Sequence, residues 1–413
     1  MRELQVDTSE DPVTSDVFLV LQLRTANDPW LPRLKTFECD RATGAFIPFI
    51  PLLLSPQTTK ITIGFADDSS TMVIGPVISR FPTLCPNLQH ITLRGIPRDS
   101  IITDAASEML LACNRDILRV FEVDSPLTEE AREVVCKLPR LSDLWVVIEG
   151  PTFLPAVAFP SLTTIDIEYD HELNWLQGLH GVTLAKLESV TFRSESKQIR
   201  DFLGVFESVA LTTFAQNTLS MFRFYTTSAW NPNYSPLLSF KQLQHLEIEF
   251  SCDDGCSSSV DDEMIISLAR AMPKLEILQL GWDPCGLENP TGVTVNGLIG
   301  LSRRCPHLSK LRIHFHAASL LNAEADATTS PPSDDERVVQ REGCALTELA
   351  AGQIPIPAGS APTITLILLQ IFPRILDVKY INPGWRAVAE SIKRFRRIGA
   401  FVHRSGKAQR SHI

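Results

Sequence analysis

The sequence predicts an α/β solenoid in which a short strand and a helix alternate along the chain. Three observations indicate this class. A phrase of the form Pro-x-Leu-x-x-Leu-x-Leu recurs along the 413 residues, and its clearest copy runs from Met272 to Leu280. Successive copies stand roughly 21–33 residues apart, which leaves room for one helix in each interval. Patterns typical of amphipathic helices fall in those intervals.

Each phrase predicts a short strand with two unlike faces. In the clearest copy, alternation sends Leu278 and Leu280 to one side and Ile277 and Gln279 to the other. A strand this short cannot bury an apolar face alone, so the copies must stack side by side. We therefore predict an irregular leucine-rich-repeat solenoid (a horseshoe), with parallel strands on its concave side and helices on its convex side. The first leucine-like positions are Leu34, Thr58, Leu88, Leu118, Leu141, Leu162, Leu187, Leu219, Leu243, Leu275, Leu308, Leu346 and Ile375, of which Thr58, Leu219 and Leu346 are weak members.

Helix signals mark three of the intervals between phrases. One helix is predicted to open at Ser125-Pro126, with Pro in its first turn. A second is predicted to be capped by Ser259, three residues before Asp262. A third is predicted to stop at Gly399. Its apolar stripe consists of Trp385, Val388, Ile392 and Phe395.

The repeats are predicted to form one solenoid domain over residues 1–384, with a disordered polar insertion near 322–340. Met1–Val6 also has the form of a strand phrase, so the chain is expected to begin inside a repeat. Residues 385–413 are predicted to form a capping helix and a basic tail. The alternative for the run Lys393–Arg397 is a nuclear-localisation or nucleic-acid patch.

Composition limits the classes of partner. The formal net charge is −10, although residues 385–413 carry eight Lys and Arg against one Glu. An acidic body does not suit phosphate neutralisation, so nucleic acid is not an expected partner. No apolar run approaches the roughly 20 residues that a membrane helix needs, and no signal segment opens the chain. Nine scattered cysteines fit reduced thiols. We expect a protein of the cytoplasm or the nucleus with no membrane contact.

Signatures of catalysis do not occur in the sequence. It contains no Gly-x-Ser-x-Gly elbow, no phosphate loop ending in Gly-Lys-Ser/Thr and no His-Glu-x-x-His helix. Two clusters contain metal-ligand residue types, but neither supplies four ligands at a recognised zinc spacing. They are Cys252 with Cys256, and Cys305 with His307, His314 and His316. The sequence therefore predicts neither an enzyme nor a metal or cofactor.

The predicted concave face is the candidate binding surface, because strand alternation exposes its side chains. This face is expected to be acidic on balance, with Trp145 and Tyr225 as aromatic anchors. Arg312, His314 and His316, with Lys310 if the strand extends that far, are expected to form a cationic patch, and the alternative is an ordinary solvated strand. We hypothesise that the face binds a protein segment with basic residues. The candidate residues are Trp145, Glu149, Asp166, Glu168, Arg223, Tyr225, His245, Glu247, Glu249, Ile277, Gln279, Arg312, His314 and His316.

The phrases Cys85–Leu93 and Cys305–Ile313 follow the form Cys-Pro-x-Leu-x-x-Leu-x-Ile or stay close to it. With the irregular spacing and the intervening helices, this pattern resembles the leucine-rich-repeat portion of F-box proteins, notably the large fungal families, whose solenoid is ribonuclease-inhibitor-like. The resemblance implies a substrate receptor of a Skp1-cullin-F-box ubiquitin ligase. No F-box counterpart precedes Leu34, so docking to Skp1 is expected only where an F-box lies upstream. The alternative is a stand-alone leucine-rich-repeat scaffold with no ubiquitin-ligase link.

Overall fold

The structure is a computed structural model that describes residues 2–6, 29–67, 69–148, 159–169, 186–194, 215–226, 234–250, 260–281, 292–321, 344–352, 354–380 and 382–410. The chain divides into two compact units. The first unit comprises Met1–Ser194 and Leu211–Thr218, and the second comprises Glu195–Ala210 and Leu219–Ile413.

In the first unit, eight described strands pair in chain order and in parallel. Residues at equivalent phrase positions stand side by side, so each position forms a row across the sheet. The strands are β1 (Glu3–Val6), β2 (Thr36–Ala42), β3 (Lys60–Phe65), β4 (His90–Arg94), β5 (Val120–Pro126), β6 (Asp143–Ile148), β7 (Thr164–Tyr169) and β8 (Ser189–Ser194).

The second unit repeats this arrangement with six described strands, again parallel and in chain order. The strands are β9 (Met221–Thr226), β10 (His245–Phe250), β11 (Ile277–Leu280), β12 (Lys310–Ile313), β13 (Glu348–Gly352) and β14 (Asp377–Tyr380).

Each predicted phrase produces a strand that begins two residues after its first leucine-like position. These first positions are at most 2% exposed, the weak members included. Thr58 is tolerated there because its hydroxyl donates to the carbonyl of Leu34 at 3.0 Å, which satisfies the buried polar group. Within β11 the alternation is also as predicted, with Leu278 and Leu280 buried and Ile277 and Gln279 half-buried on the opposite face.

The Pro-x-Leu part of the phrase forms a turn into the strand. In the copy at Cys85, the amide of Leu88 donates to the carbonyl of Cys85 at 3.1 Å, with Pro86 at the second position of the turn, where its fixed φ fits. The residue after the leucine then donates its amide to the preceding repeat, as Gln89 does to Thr59 at 2.8 Å. Several of these residues add a hydroxyl bond to the same carbonyl row, namely Thr59, Ser142, Thr163, Ser309 and Thr347.

Helices fill the longer intervals and cover the core side of each sheet. In the first unit they are α1 (Ile50–Leu53), α2 (Thr71–Ile78), α3 (Phe81–Leu84), α4 (Ser100–Ala112), α5 (Glu129–Cys136) and α6 (Ala215–Thr218). In the second they are α7 (Asp262–Ala271), α8 (Val295–Arg304), α9 (Ala361–Ile371) and α10 (Trp385–Arg410). Short 3₁₀ turns occupy Ile47–Phe49 and Ser235–Ser239.

Two predicted helix starts were wrong by a few residues. Pro126 ends β5 instead of opening a helix, and Thr128 caps α5 by accepting from the amide of Ala131 at 3.4 Å. Asp261 caps α7 by accepting from Met264 at 2.8 Å. The predicted cap, Ser259, lies outside the described residues. In both cases a better-placed oxygen-bearing side chain stands directly before the first helical residue.

The predicted stripe of the last helix is correct for its first three members and wrong for the fourth. Trp385, Val388 and Ile392 are fully buried, whereas Phe395 is 48% exposed. The neighbouring Arg396 takes the inward position instead, and its Nε donates to the carbonyl of Ile375 at 2.8 Å. The helix also continues past Gly399 to Arg410, since a single glycine weakens a helix without ending it.

The predicted fold class is confirmed, because parallel strands and intervening helices build a leucine-rich-repeat solenoid in each unit. The insertion predicted near 322–340 lies outside the described residues, and the single domain over 1–384 stays a prediction. No helix within the described ranges is both long and apolar enough to cross a membrane.

Candidate functional site

The face of each sheet that points away from the core is called the open face here, and it corresponds to the predicted concave face. Its central row contains the residue four places after each first leucine-like position. In the first unit this row includes Glu122, Trp145 and Asp166, which stand in register on β5, β6 and β7. Their side chains are neither fully buried nor freely exposed. Their orientation is therefore set largely by their neighbours across the sheet.

Trp145 lies in a shallow depression of the first unit, about 370 Å³ in volume, which we call the Trp145 depression. Arg94 stacks on its ring, with the guanidinium carbon 5.7 Å from the ring centroid, and reaches Glu122 at 3.1 Å. Among the described atoms, the buried indole N–H of Trp145 meets no acceptor. The lining residues are Arg94, Glu122, Asp143, Leu144, Trp145, Thr164, Asp166 and Arg193.

Two further arginines tie the carboxylates around this depression. Arg98, in the loop after β4, contacts Asp124 at 3.1 Å and also pairs with Glu168, so it spans from β5 to β7. Burial alone would lower the pKa of Arg98, but Glu168 and Asp124 more than offset this and raise it. Arg193 donates two hydrogen bonds to the carboxylate of Asp166, at 3.3 and 3.0 Å.

These pairs partly offset the negative charge that was predicted for this face. Glu122, Asp124, Asp166 and Glu168 each meet an arginine. Asp143 meets only the hydroxyl of Ser142, at 2.6 Å, among the contacts of the described residues. The lining still contains one more carboxylate than guanidinium groups, so its excess negative charge is small and centred near Asp143.

In the second unit, Glu247 on β10 contacts two residues of β9. Arg223 approaches it at 3.1 Å, and the hydroxyl of Tyr225 lies 3.2 Å from it. Burial and the nearby Glu247 raise the pKa of Tyr225 to about 12, so the phenol stays protonated at neutral pH. Tyr225 therefore acts as a fixed donor to Glu247.

Glu249, on the same strand, connects β10 to β12. Arg312 contacts it at 3.0 Å across the intervening β11, and Gln279 on β11 donates to the same oxygen. Both side chains of the Arg312–Glu249 pair are about one quarter to one third exposed, so this pair is not freely solvated. The charges of this unit are thus held by bridges across strands, as in the first unit.

Beside Arg312 lies a second open depression, about 340 Å³ in volume, which we call the Ala350 depression. Ala350 stands in register between Arg312 on β12 and Lys379 on β14. Lys379 pairs with Asp377 at 3.0 Å. The lining residues are Ile277, Leu278, Gln279, Lys310, Leu311, Arg312, Glu348, Ala350 and Lys379.

Of the residues predicted to form the cationic patch, Lys310 and Arg312 lie on β12, whereas His314 and His316 follow its end. β12 ends at Ile313, and burial together with Arg312 lowers the pKa of His314, so this imidazole is neutral at pH 7. His316 is exposed beyond the strand end. The positive groups around Ala350 are the predicted Lys310 and Arg312 together with Lys379, which the strand register adds to them.

The remaining predicted site residues are dispersed. His245 faces Glu276 at 3.9 Å, at the start of β10, and Ile277 lines the Ala350 depression. Glu149 lies outside the described residues. Sequence reasoning missed Arg94, Arg98, Arg193, Ala350 and Lys379 as parts of the surface. Strand alternation applied to β4 and β8 would have put Arg94 and Arg193 on the open face. Arg98 lies in a loop, where side-chain alternation predicts nothing.

The cysteines and histidines form no metal-holding group within the part of the chain that the structure describes. Cys305 donates its thiol toward the carbonyl of Met272 at 3.8 Å, and Cys344 donates toward that of Leu308 at 3.5 Å. Burial raises the pKa of the Cys305 thiol to about 12, which makes it a poor nucleophile at neutral pH. Cys252 and Cys256 lie outside the described residues.

Comparison with known proteins gives little beyond this geometry. No protein-family model matches the sequence, and no curated protein matches it. Among solved structures, the crystal structure of an internalin from Listeria monocytogenes is similar at a TM-score of 0.40 and 14% identity, over 81% of this chain and 83% of that one.

Proposed function

We propose that this protein is a protein-recognition module that binds a segment of another protein along its open face. The observation that carries the proposal is the Trp145 depression. A large aromatic side chain lines an open depression there, and Arg94, whose side chain is 60% exposed, stacks on its ring. Half-buried tryptophans beside fixed charges are frequent anchors of protein interfaces.

The lining favours a basic partner residue. An arginine or lysine from the partner that displaced Arg94 would stack on Trp145 and meet Glu122 and Asp143. The buried indole N–H lacks an acceptor among the described atoms, and a partner carbonyl that reached it would supply one. A protein segment supplies both groups, because it carries basic side chains on a backbone of carbonyls.

A display library of random 12-residue peptides, selected against the full chain, tests the proposal. We expect enriched peptides to contain Arg or Lys and to lose at least about tenfold in affinity on Trp145→Ala. Asp143→Asn, which keeps a polar group beside Ser142, should weaken them less. The matched control is Ile101→Ala, an exposed apolar residue on α4, and it should change nothing. Peptides that bind equally well to both alanine variants would contradict the proposal.

By the resemblance to F-box proteins, we propose as a finer role that the module presents its partner to a ubiquitin ligase, in the cytoplasm or the nucleus. The alternative is a stand-alone scaffold. Co-purification with Skp1, using the complete product of the natural gene, separates the two. Stable Skp1 association supports the receptor role, and its absence supports the scaffold.

A further inference from the structure

The central row of the second unit has one gap. Its members, in register from β9 to β14, are Arg223, Glu247, Gln279, Arg312, Ala350 and Lys379. Five of these side chains are long and polar, and one is a methyl group. Ala350 is 6% exposed, and the Ala350 depression opens above it because no long side chain fills that place.

Both neighbours of the gap are cations. Arg312 and Lys379 stand on either side of Ala350, two strands apart, which corresponds to about 10 Å between their backbones. Because both groups are positive, they repel each other and neither balances the other's charge. Their carboxylate partners lie elsewhere, Glu249 on β10 for Arg312 and Asp377 on β14 itself for Lys379. An anion above Ala350 would lie between the two cations.

A third cation points to the same place. Lys310, one row away on β12, lines the Ala350 depression, is exposed, and takes part in no ion pair among the described residues. Glu348 is the one carboxylate among the lining residues. The lining therefore carries three positive charges and one negative charge, which is opposite in sign to the lining of the Trp145 depression.

We propose that the Ala350 depression receives the carboxylate of an Asp or Glu side chain on the protein segment that the open face binds. This inference rests on the proposed function. A carboxylate has the planar, two-oxygen shape that an arginine recognises with two parallel bonds. A nucleic-acid backbone is disfavoured, because Glu249, Asp377 and Glu348 surround the cations and would repel a run of phosphates.

The same peptide selection tests this inference when it is repeated with Ala350→Glu. That substitution supplies the carboxylate from the chain itself, between Arg312 and Lys379, and should exclude the peptide's own. We expect a class of peptides whose binding is lost on Ala350→Glu. In these peptides, replacing the key Asp by Asn, or Glu by Gln, should weaken binding by about tenfold or more. Lys310→Gln, an exposed change that does not threaten folding, should weaken the same class about threefold.

Thermal unfolding gives a second readout that needs no partner. Ala350→Glu should raise the melting temperature because it fills the gap between two cations, and Ala350→Lys should lower it. The matched control is Thr62→Glu, at the same row position in the first unit but in register with Glu38, which should lower it. A lower melting temperature for Ala350→Glu would overturn the carboxylate preference.

The outcomes separate the two proposals. A selection that yields peptides that need Trp145, but no class whose binding is lost on Ala350→Glu, would overturn this inference and leave the proposed function standing. Peptides insensitive to every change on the open face would sink the proposed function as well. Competition by a single-stranded 20-nucleotide DNA, used as a phosphate probe, would show that the depression prefers phosphate and would overturn the assignment.

Discussion

Trp145 and Ala350 occupy the same position of the repeat phrase, four residues after Leu141 and Leu346, yet one is the largest side chain and the other among the smallest. Their neighbours differ in the same systematic way. Trp145 stands in register between two carboxylates, Glu122 and Asp166, and Ala350 between two cations, Arg312 and Lys379. The repeat fixes which residues face outward, and the cross-strand neighbours decide what the surface recognises.

The two regions also differ in how their charges are balanced. Around Trp145, three arginines from β4, the following loop and β8 reach inward to carboxylates on β5 and β7. Around Ala350, Arg312 pairs with Glu249 on β10, and Lys379 pairs with Asp377 on its own strand. The carboxylates of the first region, Asp143 apart, are therefore already paired with arginines of the chain. The second leaves a place for a ligand charge.

Removal of Arg98 should produce the largest effect on stability. Arg98→Ala leaves Asp124 and Glu168 without their shared guanidinium, and both carboxylates are at most about one fifth exposed. We expect a loss of about 1–2 kcal/mol in the free energy of unfolding, discounted for partial exposure. Arg94→Ala, at a side chain that is 60% exposed, should cost less than about 0.5 kcal/mol.

Urea unfolding followed by circular dichroism measures both variants. The comparison predicts that Lys379→Ala in the second unit behaves like Arg94→Ala, because its side chain is 58% exposed and pairs only with Asp377 among the described residues. If Arg98→Ala and Lys379→Ala lowered the free energy of unfolding equally, the proposed difference between the two charge networks would be wrong.

Sequence alone predicts the repeats of this fold well, because the leucine spacing is a local signal. Even Thr58, Leu219 and Leu346 introduce strands where the phrase is weak. Each is buried by the stacked neighbours, which impose the register that the phrase itself specifies poorly. Helix starts were less predictable, since the cap depends on one oxygen: Asp261 and Thr128 serve where Ser259 and Ser125-Pro126 were expected.

The surface was predicted only in part, for a different physical reason. Alternation correctly placed Trp145, Glu247 and Gln279 outward, but it says nothing about which charges meet. Arg98 and Glu168 are 70 residues apart, and Arg312 and Glu249 are 63 apart, so their pairing needs the register of the whole sheet. For the same reason, counting charges predicted a face that is acidic on balance but not the arginines that pair with most of its carboxylates.

Tyr225→Phe should give a smaller change, and one that depends on alkaline pH. At pH 7 the variant loses the hydrogen bond to Glu247, which we expect to cost about 1 kcal/mol. The pKa of Tyr225 is raised to about 12 in the folded chain, against an ordinary value of 10 for a solvated tyrosine, so the folded state holds its proton more tightly. Stability from this group is therefore complete below pH 10 and lost between pH 10 and about 12.

The difference in unfolding free energy between wild type and Tyr225→Phe should accordingly shrink above pH 10. Ultraviolet titration of tyrosinate absorbance is the independent check. The wild type should show a rise near pH 12 that is missing from the titration of Tyr225→Phe. If the missing absorbance instead rises near pH 10, Tyr225 is solvated and does not hold Glu247 in place.

His314→Gln should produce the smallest effect, confined to mild acid. Burial and Arg312 lower the pKa of His314 below 6.5, so the unfolded chain binds a proton more readily than the folded one. Stability from this group is present above pH 6.5 and falls as the pH drops through the lowered value. The wild type should therefore lose stability between pH 7 and 5 more steeply than His314→Gln. Parallel slopes for His314→Gln and the wild type would mean that the imidazole titrates freely, and the cationic patch once expected beside Arg312 would then form in acid.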